Sequence, residues 1–126
     1  MKPIRLSLLA VALAAVMAAC GSTSGGETPT DPATADGTVT SVDMAFDPGT
    51  VNVPAGRTFT LALVNQDSMP HNVAIYTDES RSEKLFEGEM VTDGTITYEI
   101  PALDAGEYFF DCSLHPDMTG TLVAGD

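Results

Sequence analysis

EYFFDCSLHPDMTGTLV, residues 107–123, is the stretch on which the reading of this chain turns. Its first part alternates like an extended strand. Tyr108, Phe110 and Cys112 share one face, and Glu107, Phe109 and Asp111 share the other. The middle then places a thiol, an imidazole and a thioether (Cys112, His115 and Met118) within seven residues. A second strand-like run, residues 119–123, follows at once.

The same period of two extends outward from this stretch. Residues 38–46 and 50–53 read as strands around Asp47-Pro48-Gly49, and Pro54-Ala55-Gly56 turns the chain into RTFTLALVN, residues 57–65. Phe59, Leu61 and Leu63 share a face there, as do His71, Val73 and Ile75 in HNVAIY, residues 71–76. Residues 95–100 form another strand before Ala105-Gly106 turns into 107–112. Only residues 78–86, DESRSEKLF, read as helical, for a turn or two. About seven to eight short strands in residues 38–126 predict an all-β fold, an antiparallel β-sandwich with Greek-key connections.

The N-terminus reads differently. Lys2 and Arg5 precede an apolar run, residues 6–17, too short to span a bilayer comfortably. Met17-Ala18-Ala19-Cys20 resembles a bacterial lipobox, which implies a signal peptide over 1–19 and lipidation at Cys20. The alternative is an ordinary signal peptide cut after an A-x-A-like site. Two or three acyl chains would anchor the protein on the extracytoplasmic face of a bacterial membrane, facing the periplasm or the cell surface. Residues 20–37 are rich in Gly, Ser, Thr, Pro and acids, a composition expected of a flexible acylated tether. From Cys20 onward three basic residues face eighteen acidic ones, a net charge of −15. That balance excludes a phosphate-binding footprint, disfavours nucleic acid as a partner, and favours a basic protein or a saline habitat.

Two cysteines and two histidines sharpen the chemistry. With Cys20 lipidated, Cys112 is a lone thiol outside the cytoplasm, exposed to oxidation unless buried, paired with another chain or bound to metal. A buried core cysteine would leave His115 and Met118 unexplained. His71, Cys112 and His115 with a weakly held Met make the donor field of a blue-copper electron-transfer site, whereas tetrahedral zinc would want a harder or thiolate fourth donor. Met69 is a second axial candidate, with loop packing as its preferred role. Glu79, Glu83, Glu87 and Glu89 read as a solvated charged face rather than a hard-metal site.

These residues resemble the cupredoxin (type 1 blue-copper) family. PHNVAIY is similar to the family's first ligand segment, and EYFFDCSLHPDMTGTLV to its second ligand loop and last strand. Cys-x₂-His-x₂-Met matches the short-loop, amicyanin-like form. The resemblance implies one copper ion held by His71, Cys112 and His115, with Met118 axial. It implies that the Asn72 backbone N–H bonds the thiolate sulfur and locks the two ligand segments together. Asp111 stands where plastocyanin has an aromatic residue, and Leu114 where Pro is common. The implied function is a monomeric, membrane-anchored one-electron carrier, not an enzyme, docking through Pro70, Leu114 and Pro116 beside His115. Its partner would be a redox protein, such as a basic cytochrome or an oxidase. The alternatives are a copper storage or delivery protein, or a catalytic red-copper relative.

Overall fold

The computed structural model describes residues 31–126, so the leader and Cys20 lie outside the described residues. Nine strands occur among them: β1 (Gly37–Val42), β2 (Ala45–Asp47), β3 (Thr50–Pro54), β4 (Phe59–Asn65), β5 (Ala74–Tyr76), β6 (Lys84–Glu87), β7 (Gly94–Ile100), β8 (Gly106–Cys112) and β9 (His115–Gly125). They form two sheets, ordered β2-β1-β4-β7 and β3-β9-β8-β5-β6. The expected β-sandwich is therefore present. Among the described residues no helix is long and apolar enough to cross a membrane.

The alternation read in the sequence becomes the core. Val39, Leu61, Leu63 and Ile100 on one sheet and Val51, Ile75, Phe110 and Leu122 on the other belong to one buried cluster. Burying each such side chain contributes roughly 1.5–3 kcal/mol, the main drive holding the sheets together. Five ladders are antiparallel, and two are parallel, β1 with β4 and β3 with β9. The parallel pair β1–β4 arises because the chain crosses to the other sheet at β3 before returning. The crossover leaves β1 and β4 running in the same direction.

Two local expectations change. The strand read over residues 38–46 breaks at Asp43-Met44, where both residues have positive φ (53° and 60°) and form a two-residue hairpin loop between Val42 and Ala45. Residues 78–86 are not helical. Arg81 adopts a left-handed φ of 56°, which stops a helix, and Lys84–Glu87 pairs with β5 so that Leu85 and Phe86 pack against the core. The Phe86 ring meets Tyr98 edge-on at 5.6 Å.

Ahead of β1, Pro32–Thr34 makes one 3₁₀ turn capped by Asp31. Asp36 accepts hydrogen bonds from the Thr60 amide and from Arg57. The Arg57 guanidinium holds the Asp36 carboxyl below its ordinary range, with the Thr60 amide adding to the effect.

Candidate metal centre

His71, Cys112 and His115 converge at one end of the sandwich. One donor atom from each lies within 4.8 Å of the others. The Cys112 Sγ is 3.7 Å from His71 Nδ1 and 3.5 Å from His115 Nδ1. The two imidazole rings meet edge-on at 4.9 Å. His71 and Cys112 are fully buried, and His115 is half-buried.

β8 and β9 bring Cys112 and His115 together, because their turn pairs Cys112 with His115 across a ladder that is irregular after Asp111. Phe110, Asp111 and Cys112 are all buried at this end of β8, where a regular strand would alternate. His71 arrives from another segment and is held in a two-hydrogen-bond bridge to Val91.

The loop before His71 is built around the buried Asn65. Its carboxamide donates to the carbonyls of Met69 (2.8 Å) and Val91 (2.8 Å), while its oxygen accepts from Ser41 and from the Asp67 amide. Asp67 is thereby placed so that its carboxylate lies 2.9 Å from His71 Nε2. A ring N–H given to a carboxylate leaves the Nδ1 lone pair facing the thiol, the tautomer a metal ligand needs. Sequence reading passed over Asn65 and Asp67. The four-residue spacing of Asp67 from His71 was the available signal, since a ligating imidazole wants a partner on its other nitrogen.

Asn72 is buried and links the two ligand segments. Its side-chain oxygen accepts from the Ser113 amide (2.9 Å), and its nitrogen donates to Ser113 Oγ and the Gly88 carbonyl. Ser113 Oγ in turn donates to Glu87, whose carboxyl is held below its ordinary range by Lys84 first and Ser113 second.

Met118 is 2 % exposed and lines one cleft with His115, Leu114, Pro116 and Met44. Met69 is 47 % exposed and Leu114 55 %, while Pro70 is half-buried. Two borderline imidazoles, a thiol and a neighbouring thioether suit a soft to borderline transition metal such as copper and make a poor field for a hard cation. Asp111, noted above for its departure from the aromatic pattern, is an ion-pair partner of Arg81.

Comparison with known proteins supplies the context. A family model described as a cupredoxin-like domain matches residues 8–124. Amicyanin from Paracoccus versutus is 36% identical over 90 residues, covering 71% of this chain and 65% of that protein. The chain therefore spans just under two thirds of the length of this curated relative. The crystal structure of that amicyanin superposes with a TM-score of 0.58 at 34% identity, covering 75% of this chain and 84% of its own. Reduced auracyanin from Roseiflexus castenholzii superposes at 0.60 over 71% of this chain and 95% of its own; at 20% identity that likeness speaks for the fold alone.

Proposed function

Because the chain belongs to the cupredoxin family, whose members bind one copper ion, we propose that it is a one-electron carrier on the extracytoplasmic face of a bacterial membrane. The observation that carries this reading is the convergence of two imidazoles and a thiol within 4.8 Å in a buried setting. We assign His71, Cys112 and His115 as the copper ligands and Met118 as the weak axial one. Copper bound there supplies a couple that gains and loses one electron with little rearrangement.

The protein's part is rigidity and access. Asp67 bonds the His71 ring, and Asn72 with Ser113 ties the two ligand segments, contacts that would hold both in place around a bound ion. His115 is the half-buried ligand, and its ring edge is the port. We assign Leu114 and Pro116, which line one cleft with His115 and with Met44 on its left-handed hairpin, together with Pro70 as the apolar docking patch. The acidic surface favours a basic redox partner, a cytochrome or an oxidase.

Attachment to the membrane rests on Cys20 and its acyl chains. We expect the intact protein to partition with membranes and Cys20→Ala to release it; a Cys20→Ala protein that stays bound refutes the anchor.

Visible and electron-spin-resonance spectra of the copper-loaded protein test the central reading. We expect one copper per chain, an intense thiolate-to-Cu(II) band and narrow hyperfine splitting. Cys112→Ser abolishes the band, since a serine oxygen is neither soft nor readily deprotonated. A colourless protein that takes zinc in preference to copper overturns the proposal.

A second reading, copper delivery, draws on the exposure of Met44, Met69 and Met90, since exposed thioethers attract Cu(I). A second, labile Cu(I) equivalent in a competition titration would favour it.

A further inference from the structure

Arg81 reaches the candidate centre from outside. It lies between β5 and β6 in a left-handed conformation (φ 56°), and its amide donates to the Asp78 carbonyl at 3.1 Å. From there Nε donates to Asp111 Oδ2 at 2.6 Å, and Nη2 donates to the Pro116 carbonyl at 2.8 Å. The guanidinium carbon also sits 4.9 Å from the centre of the Phe109 ring. Phe109 and Asp111 precede Cys112, whereas Pro116 follows His115. One planar group therefore spans both ends of the loop that carries the thiol and an imidazole.

The charges point the same way. Asp111 is 2 % exposed and adjoins Cys112, and its Oδ1 has no hydrogen-bond partner. Asp111 is next to Cys112 in the chain, so its ion pair with Arg81 (2.6 Å) compensates a buried carboxylate one residue from a candidate ligand. We infer that Arg81 is a positioning residue of the metal centre, fastening both ends of the ligand loop and offsetting the buried charge beside the thiol. The geometry requires a fork with two separated donors, which Arg has and Lys lacks.

This inference rests on the copper reading, and its test separates the two. In the metal-free full-length protein, Arg81→Gln should make the amides of residues 113–118 exchange about tenfold faster, the scale expected for losing a charge-assisted bond. Amides of β4 and β7 should be unaffected. In the copper-loaded protein, Arg81→Gln should lower the reduction potential, because an uncompensated carboxylate favours the more positive Cu(II). Asp111→Asn, with Arg81 kept, should raise it. Arg81→Lys keeps the charge without the fork, so its potential should stay near that of the unsubstituted protein while loop exchange remains fast. The Lys variant also decides the question if Arg81→Gln fails to fold. An ordinary surface ion pair would move none of these readouts selectively. Loop exchange and potential both unchanged in Arg81→Gln, or faster exchange spread evenly over all strands, overturns the inference. If the unsubstituted protein shows no copper band, the proposed function fails, and the metal-free exchange alone then decides the role of Arg81.

Discussion

Two methionines lie near the candidate ligands, and burial separates them. Met118 is 2 % exposed beside His115, whereas Met69 is 47 % exposed two residues before His71. Met118→Gln should preserve copper binding and lower the reduction potential, because an oxygen donor favours the harder Cu(II). Met69→Leu should leave spectrum and potential nearly unchanged. A reversal of these two outcomes, read by redox titration, would reassign the axial ligand. At this scale the sequence was most legible where chemistry is scarce, since two histidines and two cysteines leave few alternatives. It was least legible where a side chain acts across long separations. Arg81 meets Asp111 30 positions away, and Asn72 meets Ser113 41 away, so neither pairing leaves a local pattern.

The ladder between β8 and β9 sets the spacing of the ligand loop, and Gly120 makes it possible. Gly120 pairs with Phe110, and a Cβ placed on it would clash with the tip of the Phe110 ring, at Cζ. Gly120→Ala should therefore destabilise the fold by about 1–3 kcal/mol through overpacking, measured by denaturant unfolding. A change below a few tenths would mean that the ring shifts freely. Phe59–Asn65 was readable from the alternation of its apolar residues in the sequence; Gly106–Cys112 alternates in sequence too, but in the fold it ends in three consecutive buried residues. The Asp43-Met44 hairpin was not, because neither residue is the Asn or Gly that usually marks a loop with positive φ. Lys84–Glu87 was hidden as well. Its charged residues mimic a helical surface, and its strand character comes from pairing with β5.

Across the whole molecule, charge is unevenly matched. Residues 31–126 carry seventeen acids and three bases, and Arg57, Arg81 and Lys84 are each engaged with a carboxylate. Electron exchange with a basic redox protein should therefore slow by on the order of tenfold or more from low to high salt. Stopped-flow rates that ignore ionic strength would show that this surface does not steer the encounter. The acidity was plain in the composition. The parallel pairing of β1 with β4 and β3 with β9 was not, because strand direction depends on where the chain changes sheets, and alternation carries no record of that. The engagement of all three cations has a further consequence for a crowd of identical molecules. Each copy presents the same sign to every other, and the apolar rim around His115 sits within that repulsive field. Two copies should therefore seldom meet port to port at low salt, so an electron loaded onto one molecule stays there until a partner of opposite sign arrives. The population then acts as separate couriers and not as a conducting layer.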